Sequence, residues 1–246
     1  MGGERHWWDD VYGELYLASV EDLLTPTLSA FEAGVVARLL RLRPGDRVLD
    51  LGCGHGRHLR ALEGRGVRLV GLDRSAAYLR RAAALGLPGG AALVRADVRA
   101  LPARDGAFSA AFSWYASLFM FDDAANRAAL AGLARVVRPG GRVLVHHADP
   151  VRLAASPRER AARALAGGVR VEEESAFDPQ RGVDLCTRRM IRRDGSVLEG
   201  TAELRYYSPA EWDALALACG LRLVDITSTA PGAGAPDLVA VLEKPT

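Results

Sequence analysis

The stretch "VLDLGCGHGRH", residues 48–58, decides the fold. Four apolar or acidic residues lead into three glycines at alternate positions, Gly52, Gly54 and Gly56. Glycine adopts the backbone conformations of tight turns at little energetic cost, and it lets another molecule approach the main chain closely. The stretch is therefore predicted to be a buried strand that ends in a bare turn and leads into a helix.

Strands and helices are predicted to alternate over residues 46–149. The segments between the predicted strands have apolar residues at helical spacing and are predicted to be helices. Ser75 is a candidate N-cap of one of them, and Pro139 with the following glycines ends another. The predicted strands are "RVLDLG", "VRLVGLD", "AALVRAD", "AFSAAFSWY" and "RVLVHHAD". This alternation indicates a parallel sheet with helices on both faces, and the ligands of such sheets bind at the carboxyl ends of the strands.

The pattern changes after Pro150. The segment "PRERAARALAGG" is predicted as a helix, and the residues after it as an antiparallel unit of about three strands, since "DPQRG" and "RDG" are turn signals. A helix capped by Ser208 and Glu211 and two final strands follow. We expect a helical lid over residues 1–43, a core over 44–150, a cap over 151–207, and a last helix with two core strands over 208–246.

Composition excludes several classes of protein. The chain has 246 residues, of which 49% are hydrophobic and 25% charged, as in ordinary globular proteins. A net charge of +2 gives no reason to expect a nucleic acid partner. The three cysteines are dispersed, which favours free thiols over disulfides or a metal site. No apolar segment approaches the length of a membrane span, so we expect a cytoplasmic protein without membrane, nucleic acid or metal.

Three interpretations compete for the glycine turn. The first is a tight turn without a ligand. The second is a dinucleotide site, but Arg57 stands where that fingerprint has a third glycine or alanine. The third is a site for S-adenosylmethionine, which requires an acid before the glycines and a carboxylate after the next strand. Asp50 and Asp73 meet that requirement, and Asp97 after the third strand adds to it, although Asp73 alone would also suit NAD.

Given these residues and their order, the chain resembles a class I S-adenosylmethionine-dependent methyltransferase of the small-molecule kind. The resemblance rests on "VLDLGCGHGRH", "VGLDRS", "RADVRALP" and "LARVVRPGGRVLV". The later residues resemble a bacterial subgroup in which a short antiparallel sheet covers the active site and an Arg-Tyr pair precedes the next helix. The implied fold is α/β: a Rossmann-like, seven-stranded, doubly wound sheet with N-terminal helices and a small antiparallel β cap inserted after the fifth strand.

The resemblance also implies a set of cofactor-binding residues. The backbone of the glycine turn would run along the methionine part of S-adenosylmethionine, a carboxylate would bind the ribose, and the residues after the third strand would meet the adenine. Two tyrosines of the N-terminal segment would close over the cofactor. The implied residues are Tyr12, Tyr16, Asp50, Gly52, Cys53, Gly54, Asp73, Arg74, Asp97, Val98 and Ser113.

The acceptor side is less well determined by the sequence. His147 is preferred over His146 as a general base, because strand alternation sends only one of them toward the site. Arg205 and Tyr206, where the cap meets the core, are expected to take part in substrate binding and catalysis. His6, Trp7 and Tyr115 are further candidates for substrate binding.

The predicted activity is methyl transfer to a small-molecule acceptor in bacterial specialised metabolism. Three alternatives stay open: an enzyme of the same fold that binds S-adenosylmethionine but catalyses a cyclisation or elimination, a protein or RNA methyltransferase, and a non-enzymatic module. The predicted assembly is a monomer or a homodimer.

Overall fold

The computed structural model describes residues 17, 20, 23–115, 117–228 and 237–246. The helices are α1 (Pro26–Leu39), α2 (Arg57–Ala61), α3 (Ala76–Ala84), α4 (Asp123–Val136), α5 (Pro150–Ala155) and α6 (Pro209–Ala218). The strands are β1 (Arg47–Leu51), β2 (Arg68–Asp73), β3 (Ala92–Arg95), β4 (Phe108–Ser113), β5 (Val137–Ala148), β6 (Arg158–Leu165), β7 (Val169–Asp178), β8 (Val183–Ile191), β9 (Val197–Arg205), β10 (Arg222–Ser228) and β11 (Asp237–Glu243).

The central sheet has seven strands in the order β10-β11-β5-β4-β1-β2-β3. The five strands from β1 to β5 are parallel, whereas β11 is antiparallel to both β5 and β10. Leu51 pairs with Leu72 on one side and with Ser113 on the other, so β1, β2 and β4 end at one edge of the sheet. The predicted fold class is confirmed, and the glycine turn lies at that edge.

Both faces of the central sheet are covered. Alternate residues of β1 belong to different hydrophobic clusters: Leu49 packs with Leu133 and Trp212, while Val48 packs with Val36 of α1 and Phe112. A strand that is covered on both faces has no solvent-exposed side, which is why every residue of β1 after Arg47 is buried and "RVLDL" shows no polar alternation.

The second sheet corrects one sequence prediction. It has four antiparallel strands in the order β6-β7-β8-β9, where about three were expected. The segment predicted as a helix contains β6, which pairs with β7 from Arg158↔Ala176 to Leu165↔Val169. Arginine, glutamate, alanine and leucine favour helices intrinsically, but pairing with a neighbouring strand overrides that weak preference.

The four-stranded sheet contacts the core through a small apolar cluster. Phe177, Leu204 and Tyr206 are buried in it, and Met120 and Ala148 of the core pack against them. The backbone N–H of Arg205 donates to the carbonyl of Phe119 at 2.9 Å. The end of β9 is therefore fixed beside the segment that follows β4.

Two predicted helix ends are confirmed by their caps. The Ser75 side chain accepts a hydrogen bond from the N–H of Tyr78, and Ser208 with Glu211 forms a reciprocal capping box. Of the helical lid predicted over residues 1–43, α1 covers Pro26–Leu39. Residues 1–16 lie outside the described residues. None of the helices in the described part of the chain is long and apolar enough to cross a membrane.

Candidate functional site

A cleft lies at the carboxyl ends of the parallel strands. It has an empty volume of about 1150 Å³, including solvent-open space at its mouth. The glycine turn and the residues after β2 and β3 form part of its lining, and the rest is largely aromatic and apolar. The sequence-predicted residues that line it are Gly52, Cys53, Gly54, Asp73, Arg74, Asp97, Val98 and Tyr115.

The glycine turn adopts a conformation that other residues rarely adopt. Gly52, Gly54 and Gly56 have φ values of 75°, 53° and 75°. A Cβ atom on Gly52 would overlap the side chain of Ser117, whose Oγ would lie 2.5 Å away. A Cβ atom on Gly54 would meet no protein atom within 4 Å. The backbone at Gly54 is therefore open toward the cleft, and a ligand can approach it directly.

Asp73, the last residue of β2, ties the glycine turn to the start of α3. Its Oδ2 accepts a hydrogen bond from the N–H of Gly54 at 2.8 Å, and its Oδ1 accepts one from the N–H of Ser75 at 2.8 Å. Burial raises the pKa of this carboxyl above its ordinary value. Each carboxylate oxygen can accept a second hydrogen bond, so the side chain can still bind two ligand hydroxyls.

Asp97 is held by an arginine that the sequence analysis did not single out. Oδ1 and Oδ2 accept from Nε and Nη2 of Arg99 at 2.9 and 2.7 Å. These bonds lower the pKa of Asp97. Nη1 of Arg74 lies 3.9 Å from Oδ2, so two of the implied cofactor-binding residues are neighbours.

Two predicted cofactor residues are buried and absent from the lining of the cleft. Asp50 is 1% exposed and Ser113 is 0% exposed. Oδ2 of Asp50 and Oγ of Ser113 have no hydrogen-bond partner among the described residues. Burial raises the pKa of Asp50 to about 8. Their contact with a cofactor stays a prediction.

Glu32 of α1 is the centre of a buried ionic cluster beside the cleft. Its Oε2 accepts hydrogen bonds from Nη1 of Arg57 and from Nε2 of His58, the latter at 2.9 Å. Burial alone would raise the pKa of Glu32, but the bond from His58 and the charge of Arg57 lower it to about 2. Burial lowers the pKa of His58 to about 4. At neutral pH the cluster therefore holds a carboxylate, a guanidinium and a neutral imidazole.

Tyr115 connects this cluster to the end of the sheet. Its hydroxyl donates to Oε1 of Glu32 at 2.8 Å, and its backbone N–H donates to Nδ1 of His146 at 3.3 Å. The backbone φ of Tyr115 is 55°, in the left-handed region. Such conformations cost about 1–3 kcal/mol and concentrate at functional sites. The ring of Tyr115 is thus held rigidly in the lining of the cleft.

His146, rather than His147, contacts the residues of the cleft. Its ring stacks on Trp114 with centroids 4.4 Å apart and an interplanar angle of 12°. Its Nε2 lies 3.2 Å from Oδ2 of Asp237 on β11. His146 therefore braces Trp114 and Tyr115 from behind.

His147 is placed away from the cleft. Its Nε2 accepts a hydrogen bond from Nε1 of Trp212 at 2.7 Å, and its Nδ1 lies 2.6 Å from the carbonyl oxygen of Ala148. Burial lowers its pKa to about 4. With both ring nitrogens bonded inside the protein, His147 has no nitrogen left to take a proton from an acceptor. The placement supports a structural role for His147 in place of the predicted general base.

The lowered pKa of His147 predicts a pH-dependent stability. An unfolded histidine has a pKa of about 6.5, so between pH 6.5 and 4 the unfolded chain binds the proton that the folded chain excludes. Lowering the pH from 7.5 to 5 should therefore destabilise the wild type by about 2 kcal/mol more than the His147→Gln variant. Urea unfolding at both pH values measures this difference. Equal losses in the two proteins would contradict it.

Arg205 and Tyr206 are also absent from the lining of the cleft. Arg205 forms ion pairs with Asp123 and Glu211, at 3.2 and 2.5 Å, and bonds the carbonyl oxygen of Tyr206. Tyr206 is 6% exposed, and its ring stacks on His147 with centroids 5.8 Å apart. Because the arginine is neutralised by carboxylates of the protein, the pair joins the four-stranded sheet to the core. Their predicted role in substrate binding or catalysis is not supported by this placement.

Four predicted residues, His6, Trp7, Tyr12 and Tyr16, lie outside the described residues. Their roles stay predictions. Within the part of the chain that the structure describes, no group of three histidine, cysteine or acidic side chains is placed to hold a metal ion.

Sequence reasoning missed the roles of Glu32 and Arg57, whereas Trp114 was a candidate for an apolar wall of the acceptor site. The residues around Glu32 did carry a signal, since "FEAGVVARLL" places a single carboxylate in a mostly apolar helix. A buried charge needs a partner of opposite sign. Nothing in the sequence shows that the partners are Arg57 and His58, which are 25 and 26 positions further along the chain.

In comparisons with known proteins, the core of the chain is similar to methyltransferases. The model of a family described as "Methyltransferase domain" matches residues 48–141. A demethylmenaquinone methyltransferase from Mycolicibacterium vanbaalenii is 37% identical over 106 residues, which are 43% of this chain and 43% of that protein. The match therefore spans less than half the length of this curated relative.

Solved structures resemble the whole chain. The CcbJ methyltransferase from Streptomyces caelestis superposes with a TM-score of 0.78 at 24% identity, over 97% of this chain and 99% of that one. CalS10, an amino pentose methyltransferase from Micromonospora echinaspora solved with S-adenosylmethionine bound, gives a TM-score of 0.69 at 21% identity, over 98% and 99% of the two chains. At these identities the likeness shows the fold.

The residues of the cleft fit S-adenosylmethionine. The open backbone at Gly54 leaves the space that a Cβ atom would fill. The carboxylate of Asp73 is hydrogen-bonded to this loop. Two residues of the lining, Arg57 and Trp114, have buried donor atoms, Nη2 and Nε1, without a partner among the described residues. A ligand with a sugar and a charged amino-acid end matches this set of groups.

Proposed function

We propose that the protein transfers a methyl group from S-adenosylmethionine to a small-molecule acceptor, as the match of residues 48–141 to a family described as "Methyltransferase domain" supports. The observation that carries the proposal is that the open glycine loop and an aromatic surface line the same cleft. The loop would hold the cofactor, and the aromatic surface would border the acceptor. The likeness to CalS10, which is involved in calicheamicin biosynthesis, supports a role in bacterial specialised metabolism.

The cofactor would be held mainly by the backbone and by two carboxylates. We assign the methionine part to the backbone of Gly52, Cys53 and Gly54, and the ribose to Asp73. The adenine end belongs to Asp97, Val98 and Arg74, which lie together in the lining. When bound, S-adenosylmethionine supplies an activated methyl group on a sulfonium.

The chain's own part in the reaction is orientation and exclusion of water. Trp114, Tyr115, Met120 and Phe121 line the cleft. Trp114 is braced by His146, and Tyr115 is braced by Glu32. Rigid walls that hold two reactants in line lower the entropic barrier of transfer. The apolar character of this surface favours an acceptor with an apolar or aromatic face.

The test is turnover in the presence of candidate acceptors. Purified protein is incubated with S-adenosylmethionine and a panel of amino sugars, amino acids and phenols, and S-adenosylhomocysteine and methylated product are quantified by mass spectrometry. Equal amounts of the two products support methyl transfer. A cofactor-derived product other than S-adenosylhomocysteine would instead indicate the elimination or cyclisation chemistry that the fold also permits. Methylation of added RNA or protein alone would contradict a small-molecule acceptor.

A further inference from the structure

β6 forms an open edge of the four-stranded sheet. Among the strands that the structure describes, it pairs with β7 alone. This pairing runs from Arg158↔Ala176 to Leu165↔Val169 without a change of register, and most residues of β6 are exposed. The backbone N–H and C=O groups on the outer side of such a strand are a template for pairing with another strand.

The other three sheet edges are short, interrupted or held by the core. β3 has four residues. β10 changes its register with β11 between Leu223 and Asp225. β9 ends where the N–H of Arg205 donates to the carbonyl of Phe119 at 2.9 Å. Short strands, irregular register and covered ends protect sheet edges from pairing. β6 shows none of these features, so its charged side chains decide what it can pair with.

Those side chains complement one another in one antiparallel register. When Ala161 lies opposite Ala161 of a second copy, Glu159 of each copy lies opposite Arg163 of the other. A register centred on Arg160 would place two arginines opposite each other, and one centred on Ala162 would bring no opposite charges together. Opposite charges across a strand pair are stabilising and like charges are destabilising, so the register centred on Ala161 is favoured.

The other face of β6 has room for an arginine of the second copy. In the same register, Arg160 of the second copy lies opposite Ala162, whose neighbour on β7 is Glu172. A cavity with an empty volume of about 790 Å³, including solvent-open space, is lined in part by Ala162, Glu172 and Glu174. The small alanine therefore leaves space for a guanidinium, and two carboxylates border that space.

The direction of β6 keeps the two cores apart. β6 begins beside the core, because the N–H of Phe177 donates to the carbonyl of Pro157 at 2.7 Å and Phe177 packs in the apolar cluster that joins the sheet to the core. In an antiparallel pair the first residues of one strand lie beside the last residues of the other. The cores of the two copies would thus lie at opposite ends of the joined strands.

We propose that β6 is a homodimer interface, in which it pairs antiparallel with β6 of a second copy and Ala161 lies at the two-fold axis. The two four-stranded sheets then form one continuous sheet. Backbone hydrogen bonds hold the strands together, and the pair of Glu159 with Arg163, formed twice by symmetry, fixes the register. This interface is separate from the cleft and goes beyond the proposed function.

Cysteine cross-linking tests the register. Opposed Cβ atoms lie about 4.5–5.5 Å apart across an antiparallel pair, which is close to disulfide distance. Oxidation of the Ala161→Cys variant with copper phenanthroline should therefore give a covalent dimer on non-reducing electrophoresis. Ala164→Cys is the matched control, because it is exposed on the same strand but lies opposite Arg158 in this register. The control and the wild type, with its three native cysteines, should give no covalent dimer.

Charge reversal tests the side-chain pairing. Glu159→Arg and Arg163→Glu each place like charges opposite one another twice per dimer, and each should weaken dimerisation by about tenfold or more. The double variant Glu159→Arg/Arg163→Glu restores opposite charges and should dimerise within about threefold of the wild type. Glu63→Arg is the control, because Glu63 is exposed and lies outside the four-stranded sheet. Sedimentation equilibrium measures the dimerisation constant, and urea unfolding confirms that each variant is folded.

Three results would overturn the interface. One is a wild type that stays monomeric at the highest attainable concentration. Another is a dimer in which Ala161→Cys fails to cross-link, or in which Ala164→Cys cross-links equally well. The third is a double variant that dimerises no better than the single variants. Dimerisation is measured without cofactor or acceptor, so none of these results depends on the proposed function.

Discussion

The Asp73→Ala variant is expected to bind S-adenosylhomocysteine about a hundredfold more weakly than the wild type, or worse. Hydrogen bonds to a charged group contribute about 1.5–3 kcal/mol each, and a ribose offers two hydroxyls to this carboxylate. The variant also loses the bonds that Asp73 accepts from the N–H groups of Gly54 and Ser75. The glycine loop would then be less well ordered before the ligand arrives, which adds to the loss of affinity.

Calorimetric titration measures this loss, and Asp105→Ala is its control. Asp105 pairs with Arg135 on the surface, and its side chain is 79% exposed. Its removal should leave the affinity unchanged. A 2′-deoxy analogue of 5′-methylthioadenosine completes a double-mutant cycle. If Asp73 binds the ribose, removing the 2′-hydroxyl should weaken binding to the wild type but should cause little further loss in the Asp73→Ala variant. If the hydroxyl is worth the same free energy in both proteins, Asp73 does not bind it.

The central sheet and the glycine turn were predictable because local signals determine them. A buried strand such as "RVLDL" is typical of the central sheet of an α/β fold, and three glycines at alternate positions are typical of a turn with positive φ, which other residues adopt only at a cost. Caps such as Ser208 with Glu211 also act over three positions. Sequence reasoning is strongest where the residues that determine a feature are neighbours in the chain.

The strand β6 was not predictable on the same grounds. Its residues are nearly all exposed, so no apolar alternation marks it as a strand. Its conformation is determined by pairing with β7, including the contact between Arg160 and Glu174 at 2.9 Å. Helix propensity was the available local signal, and long-range pairing outweighed it.

The ionic cluster and the place of His147 depend on contacts across the chain. Tyr115 reaches Glu32 over 83 positions, and Trp212 reaches His147 over 65. Strand alternation correctly indicated that His146 and His147 differ in direction, but not which face holds the cleft. That depends on α6, whose Trp212 covers His147, and on β11, whose Asp237 approaches His146.

The Gly54→Val variant tests the reason for the bare turn. Valine at this position would place a side chain in the open space over the loop, where a cofactor is expected to lie. Forcing extra atoms into an occupied site costs about 1–3 kcal/mol, so S-adenosylhomocysteine should bind up to about a hundredfold more weakly. Calorimetric titration measures this loss.

Backbone strain alone could also weaken binding, and Gly64→Val separates the two effects. Gly64 has a φ of 79°, and a Cβ atom there would likewise meet no atom within 4 Å, but it is absent from the lining of the cleft. Both variants should lose about 1–2 kcal/mol of stability from the left-handed backbone, whereas only Gly54→Val should lose affinity. If the two variants bind S-adenosylhomocysteine equally well, the open backbone at Gly54 does not receive the cofactor, and its glycine serves only the turn.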